Sequence, residues 1–167
     1  MNTYSYNNKA QKSFSKKGFD IQKKHINNKG EYVITAGLSN NGILGKTDIK
    51  AKIFEENTIT IDMFGNAFYR PFKYKMVTHA RVFSLKTKFD ITQNQGLFLV
   101  NCFHFLNKQF GYENMCSWEK IKDKTIQLPI NNSEIDFDFM KNLISAIQKS
   151  VIKKVVLYVN KKIKNEL

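Results

Sequence analysis

Residues 58–85 read TITIDMFGNAFYRPFKYKMVTHARVFSL, and they open with an alternation of apolar and polar side chains. This alternation, over residues 58–63, is typical of a strand with one buried face. The pattern breaks at Gly65-Asn66, because both residues tolerate left-handed backbone angles and favour a tight turn. A second alternating run follows at residues 80–85. The stretch therefore predicts two strands separated by a turn and a longer connection.

Aromatic and cationic side chains are interleaved in that connection, residues 68–75, which reads FYRPFKYK. Cations hold phosphate, whereas rings and amides approach bases, so we interpret the segment as a loop that contacts a polyanion. The alternative interpretation is that the same rings form a lid over the hydrophobic core. The spacing alone does not separate the two.

The charge of the chain points in the same direction. A net charge of +13 and a pI of about 9.7 predict a polyanionic partner. Nearly all of the excess positive charge comes from Lys, however. AT-biased coding would produce frequent Lys, Asn and Ile without selection for DNA binding. The 167 residues suffice for one domain with a real core.

The same composition predicts a cytoplasmic protein. The N-terminus lacks the apolar segment of a secretory signal, and no apolar run reaches the roughly 18 residues that span a bilayer. The cysteines, Cys102 and Cys116, have no paired metal-ligand spacing, so we expect buried free thiols. Gly-rich phosphate loops, nucleophile elbows and zinc patterns are missing from the sequence, and neither a catalytic nor a metal-binding residue is predicted.

Three stretches together resemble one family, the target-recognition domains of DNA restriction-modification systems. They are residues 32–49 (YVITAGLSNNGILGKTDI), 59–85, and 110–129 (FGYENMCSWEKIKDKTIQLP). These domains occur in type I specificity subunits and in the related specificity parts of type IIB and IIG enzymes. The stretches cover most of residues 18–140 in the family's order, and the resemblance implies sequence-specific DNA recognition.

The resemblance also implies partners and cofactors. The partners are double-stranded DNA, the DNA methyltransferase (modification) subunits and, where a system has one, a restriction subunit. Those subunits bring AdoMet, Mg²⁺ and, in type I systems, ATP, so this chain needs no cofactor of its own. Two alternatives stay open: a non-specific nucleic-acid-binding module, and a protein-interaction domain that acts through a helix without DNA.

Individual DNA contacts are predicted from the loops and from the cations near them. Asn40-Asn41-Gly42 suits adenine recognition, since Asn pairs bidentately with that base, but Asn-Gly is equally a strong hairpin-turn signal. Both interpretations stay open. Base-edge or stacking contacts are predicted for Asn40, Asn41, Asn66, Tyr69 and Tyr112. Phosphate contacts are predicted for Lys46, Arg70, Lys73, Lys75 and Lys120.

Three further features are assigned to the fold rather than to a site. His79 is expected to bond a polar partner inside the fold. Residues 96–110, GLFLVNCFHFLNKQF, have apolar residues at helical intervals and predict one buried helix. Trp118 is interpreted as a packing residue, and DNA stacking is the alternative.

From Ile135 onward, apolar residues recur three or four positions apart and predict an amphipathic helix of roughly 30 residues. In the resembled family, such helices pair as antiparallel coiled coils between two recognition domains. This chain has room for only one domain and one helix, which implies a half-subunit that homodimerises or a piece of a larger enzyme. The predicted dimer or partner residues are Leu143, Ile144, Ile147, Val151, Val155 and Val159.

The predicted fold is therefore mixed α/β, with a twisted sheet, flanking helices and a long C-terminal helix of the coiled-coil type. We divide the chain into a flexible basic arm over residues 1–17, a target-recognition domain over 18–134, and a spacer or dimerisation helix over 135–167.

Overall fold

A computed structural model describes residues 11–12 and 20–165 of the chain. It divides into two compact units, Met1–Gln127 and Leu128–Leu167. Within the predicted N-terminal arm, Gln11–Lys12 forms strand β1. The rest of that arm lies outside the described residues, so its flexibility stays a prediction.

The first sheet contains both of the strands predicted in residues 58–85. Strands β4 (Thr58–Ile61), β5 (Ala67–Arg70) and β7 (Phe83–Leu85) join β1 in the order β1-β7-β4-β5. All neighbours in this sheet are antiparallel. The predicted turn at Gly65-Asn66 is confirmed, since residues 62–66 connect β4 to β5.

The second sheet has the order β3-β2-β6 and is built from β2 (Glu31–Ile34), β3 (Ile43–Thr47) and β6 (Tyr74–Met76). Strand β2 pairs antiparallel with β3 and parallel with β6. A hydrophobic core packs on this sheet, and its buried members are Ile21, Val33, Ile34, Phe54, Tyr74, Met76, Val77, Ala80 and Val82.

Tyr74 ties the two sheets together. Its ring stacks on Phe54 with the centroids 5.5 Å apart. Its hydroxyl lies 2.9 Å from the Thr58 hydroxyl on β4 and donates to the Ser84 hydroxyl on β7 over 2.7 Å. A buried tyrosine usually finds such polar partners, because an unpaired hydroxyl in the core is costly.

Two predictions for residues 58–75 were wrong. Strand β4 is not half-buried, because Thr58 and Thr60 are buried along with the neighbouring Ile59 and Ile61. Residues 68–75 do not form one loop either, since they contribute to β5 and β6. The alternative interpretation of the rings as core therefore holds for Tyr69 and Tyr74, both of which are buried.

Helix α1 (Gln93–Cys102) begins at a capping box. The Thr92 hydroxyl accepts the Gln95 N–H, and the Gln95 side chain accepts the Thr92 N–H, which satisfies two backbone donors at the helix start. Gly96 lies against the Tyr69 ring of β5. The predicted single helix over 96–110 was wrong in its continuity, because a separate 3₁₀ turn, His104–Lys108, follows α1.

A short helix α2 (Trp118–Ile121) lies near the end of the first unit. The histidine prediction is confirmed, because His79 Nδ1 pairs with the Asp20 carboxylate. Both cysteines are free thiols, as expected. Cys116 is buried, whereas Cys102 is half-buried.

The second unit holds a hairpin and the long helix. Strands β8 (Ile130–Asn131) and β9 (Glu134–Ile135) pair antiparallel, and helix α3 (Phe137–Asn165) follows over 29 residues. The Asp136 carboxylate accepts the Phe139 N–H at the start of α3, as an N-cap does. A long C-terminal helix is thus confirmed.

The mixed α/β class is confirmed as well, although the predicted sheet is divided into several small ones. Among the described helices, none has both the length and the apolar character that crossing a bilayer demands.

Candidate nucleic-acid interface

The first connection of interest joins β2 to β3 through residues 37–42. Thr35 N–H donates to Gly42 C=O over 2.8 Å and closes the hairpin. Asn40 and Asn41 take left-handed φ angles of 48° and 53°, which Asn tolerates better than most residues. The sequence Asn-Asn-Gly therefore serves as a turn, and it also leaves both Asn side chains exposed.

Asp62 organises the second connection, residues 62–66. Its buried carboxylate accepts four hydrogen bonds at 2.8–3.0 Å. Three come from within the turn, from Phe64 N–H, Asn66 N–H and the Asn66 side chain. The fourth comes from Gly37 N–H, 25 residues earlier. This carboxylate fixes the turn and attaches the 37–42 connection to it.

Residues 111–118 reach the same turn. Cys116 N–H donates to Met63 C=O over 2.7 Å, and the Tyr112 ring meets the Phe64 ring edge-on with the centroids 5.0 Å apart. Tyr112 is still 77% exposed. Lys120 Nζ holds this segment by donating to the Asn114 side chain at 2.6 Å and to Met115 C=O at 2.8 Å.

A fourth connection, residues 78–82, lies at this end because Phe83 of β7 pairs with Ile61, the last residue of β4. A cleft of about 610 Å³ separates it from the 111–118 segment. Its lining includes Arg81, Tyr112, Met115, Trp118 and Lys120. We call the four connections, residues 37–42, 62–66, 78–82 and 111–118, the loop end.

The loop end brings together half of the DNA contacts predicted from the sequence. Asn40, Asn41 and Tyr112 lie there with exposed side chains. Asn66 is half-buried and spends its side-chain amide on Asp62, and Lys120 is exposed beside the cleft.

Three other predicted contacts lie in the interior of this structure. The Tyr69 hydroxyl donates to the Asn57 side chain over 2.6 Å, and Lys75 Nζ donates to two backbone carbonyls, those of Thr47 and Ile49. Arg70 is 2% exposed and donates from Nε to the Thr60 hydroxyl. These side chains support the fold, because the pairing of the surrounding strands encloses them in the interior.

Burial also changes the acidity of groups beneath the loop end. It lowers the pKa of the Arg70 guanidinium to about 10, although Tyr74 and Asp62 oppose that change. Within the described part of the chain, the Arg70 Nη2 has no hydrogen-bond partner. Burial, followed by the charge of Asp62, raises the pKa of the Cys116 thiol to about 12, so this thiol is protonated and unreactive at neutral pH.

The two remaining predicted cations lie elsewhere on the surface. Lys46 is half-buried on β3, with Nζ 4.5 Å from the centroid of the Tyr32 ring. Lys73 is exposed in a groove with Glu55 and Asn57, just before β4, whereas the 62–66 turn follows that strand. The structure does not bring either lysine to the loop end.

Sequence reasoning missed two residues of the loop end, Phe64 and Arg81. Phe64 has no sequence signal apart from its place in a predicted turn. Arg81 had one, because only Arg70 and Arg81 are arginines among 27 cationic residues. Among the described residues, no group of three or more His, Cys, Asp or Glu side chains is arranged to hold a metal ion.

The class of this protein follows from its match to a known family. The chain belongs to the type I restriction modification DNA specificity domain family, whose model matches residues 8–157. The predicted membership is confirmed, and with it a DNA-recognition role in restriction-modification. Specificity subunits of this family are generally non-catalytic.

A curated relative is the Type II restriction enzyme BgcI specificity subunit S.BcgI of Heyndrickxia coagulans. It is 26% identical to this chain over 139 residues, which cover 82% of this chain and 41% of the relative. The chain thus spans less than half the length of the relative it matches. No solved structure matches the chain significantly.

Proposed function

We propose that this chain is a sequence-specific DNA-recognition subunit, or half-subunit, of a restriction-modification system, and that it reads DNA with the loop end. The observation that carries the proposal is the convergence of four connections on one end of the domain. There they present exposed amide and aromatic side chains from a scaffold of backbone hydrogen bonds. Loops on a rigid scaffold are the usual position of binding residues.

The proposed division of contacts follows exposure. Asn40, Asn41 and Tyr112 contact bases. Asn66 contributes the hydrogen-bonding groups of its side-chain amide that Asp62 does not use. Lys120 contacts phosphate beside the cleft. Lys46 and Lys73 contact phosphate outside the loop end. The interface leaves out Tyr69, Arg70 and Lys75, because their side chains are buried inside the domain.

The partners that we propose are double-stranded DNA and the methyltransferase subunits of the system, with a restriction subunit where one exists. The chain itself is non-catalytic in this proposal. AdoMet, Mg²⁺ and ATP belong to the partner subunits, and the complex acts in the cytoplasm.

The proposal includes a homodimer formed through α3. Five of the six predicted contact residues are 39–55% exposed, namely Leu143, Ile147, Val151, Val155 and Val159. Ile144 differs because it is buried. An exposed apolar stripe of this length is typical of an interaction surface. An antiparallel pair would also place Asp138, in the first turn of one helix, near Lys162 and Lys164 of the other.

A selection of bound duplexes from a random DNA pool, at about 150 mM salt, tests the recognition step. We expect an enriched motif, with two symmetric halves if the chain dimerises, because a two-fold protein mirrors its symmetry in its site. Asn41→Ala should alter the motif, whereas Lys88→Ala, at an exposed lysine outside the loop end, should retain it. Binding without enrichment, with a steep salt dependence, would contradict sequence-specific recognition.

Light scattering on the same samples tests the dimer separately. Val151→Glu with Val155→Glu should give a monomer, because it places charge in the proposed seam. Lys153→Glu makes the same net change of charge at a position between these two and outside the stripe, so it should leave the mass unchanged. A monomeric unaltered chain with an intact helix would contradict the dimer while leaving DNA recognition in place.

A further inference from the structure

Arg81 occupies an unusual position in the 78–82 connection. Its φ of 49° is left-handed, which is rare for a residue with a long side chain. Its N–H donates to Thr78 C=O over 3.2 Å and closes a tight turn. Ala80 and Val82 are both buried on either side. The flanking residues anchor the backbone, so the exposed Arg81 side chain is held outward at the rim of the cleft.

Among residues 11–12 and 20–165, the guanidinium of Arg81 meets only a weak hydrogen-bond acceptor. Nη1 lies 3.2 Å from the Met115 thioether, and sulfur is a weak acceptor. Glu113 lines the same cleft, yet no ion pair to Arg81 occurs within the described part of the chain. Several N–H donors of a fixed planar fork therefore remain available to a ligand at the loop end.

The choice of arginine is informative in this chain. Its cationic positions are lysines except for Arg70 and Arg81, and Arg70 is buried. A lysine binds phosphate as a point charge, whereas the planar guanidinium fork also matches a pair of acceptors bidentately. Guanine offers such a pair, O6 and N7, on its major-groove edge. The rest of the cleft rim, Tyr112 and Trp118, supplies aromatic surface.

We propose that Arg81 is a specificity-determining residue that reads a guanine edge in the major groove. The inference rests on the proposed function and deepens it, because it names one base and the group that recognises it. Arg81 is then the most specific contact of the loop end, while Asn40 and Asn41 read other positions.

The test compares selections from one random duplex pool by the unaltered full chain, by Arg81→Lys and by Arg81→Gly. Arg81→Lys retains the charge and removes the fork. Arg81→Gly removes both and suits the left-handed backbone, so it should melt at or above the temperature of the unaltered protein. We expect both variants to lose one guanine preference per domain and to retain the rest of the motif. Lys88→Ala should retain all of it.

Affinity measurements on the selected duplex test the hydrogen bond to the guanine base itself. Replacing the guanine by 7-deazaguanine removes N7 and retains base pairing, and for the unaltered chain we expect a roughly 10- to 100-fold loss, the range of a bidentate contact. Arg81→Lys should respond by less than about threefold, with an unchanged salt slope.

Three outcomes would overturn the inference. Identical motifs for the unaltered chain and both variants would show that Arg81 reads no base. A uniform loss of affinity with a shallower salt slope in Arg81→Gly, and an unchanged motif, would assign Arg81 to phosphate. No motif for the unaltered chain would overturn the proposed function, and this inference would fail with it.

Discussion

Replacing Asp62, whose carboxylate joins two connections of the loop end, should lower the stability of the protein. The two Asp62 oxygens each accept two hydrogen bonds, and one of the four, from Gly37 N–H, joins two connections. Asp62→Asn replaces one oxygen by an NH₂ group of similar size. At least one buried backbone N–H then faces a donor, which costs about 1–3 kcal/mol, and the other bonds lose their assistance from charge. We expect the free energy of unfolding to fall by about 3 kcal/mol.

Urea denaturation followed by Trp118 fluorescence measures this change, since Trp118 is the only tryptophan and lines the cleft. For a chain of this size, a fall of about 3 kcal/mol also lowers Tm by roughly 6–12 °C. Asp90→Asn is the matched control, because it removes the same charge at an exposed position and should change stability by less than about 0.5 kcal/mol. A loss below about 1 kcal/mol for Asp62→Asn would refute the idea that this carboxylate holds the loop end together.

Three further predictions concern the scaffold. Gly96→Ala, which would stabilise an ordinary helix, should cost about 2 kcal/mol in urea denaturation, because the new Cβ would lie 2.4 Å from the Tyr69 ring; unchanged stability would contradict that contact. Tyr74→Phe should cost about 1–2 kcal/mol, since the Thr58 and Ser84 hydroxyls lose their shared partner, whereas Tyr112→Phe, at an exposed ring, should cost nothing measurable. Burial raises the pKa of Asp20, but the bonds from His79 and from Thr78 N–H outweigh it and hold that pKa below its usual 3.8. The ionised Asp20 therefore stabilises the fold above that pH, and its contribution is lost as the pH falls through the lowered pKa. Unfolding free energies of Asp20→Asn and the unaltered chain should differ at about pH 6 and converge as the pH falls below 3.8 and through the lowered pKa; a constant difference would contradict the assignment.

The sequence predicted local features well where one short signal sufficed. The Gly65-Asn66 turn, the Asn-Gly hairpin and the long helix α3 are each encoded within a few neighbouring residues or by a simple period. The family, too, was predictable, because three stretches of the chain carried its pattern in order. The DNA contacts assigned from those stretches stay predictions until they are measured.

Burial of residues 58–75 could not be predicted in the same way. An alternating pattern identifies a face only when the other face meets water, and here the strands are covered on both sides. Arg70 and Lys75 were assigned to phosphate because cations hold phosphate, yet strand pairing encloses both side chains. The distant acceptors that allow this, the Thr47 and Ile49 carbonyls for Lys75, are 28 and 26 residues away along the chain.

The assembly of the loop end was likewise beyond local patterns. The bond from Gly37 N–H to Asp62 and the bond from Cys116 N–H to Met63 C=O join segments that are far apart in sequence. Arg81 was missed because its meaning depends on a cleft partner 34 residues later, Met115.

The hydrogen bonds that hold the loop end together use mostly backbone atoms. Gly37, Met63, Phe64 and Cys116 contribute an N–H or a C=O, and Asp62 is the main side chain involved. The left-handed backbone at 40, 41 and 81 limits which residues can occupy those positions, and the Asn40 side chain donates to Ile43 C=O, whereas the exposed Tyr112 hydroxyl has no such constraint. In the proposed function, a change among the exposed loop-end side chains alters the target sequence, while the backbone hydrogen bonds, and with them the fold, remain constant.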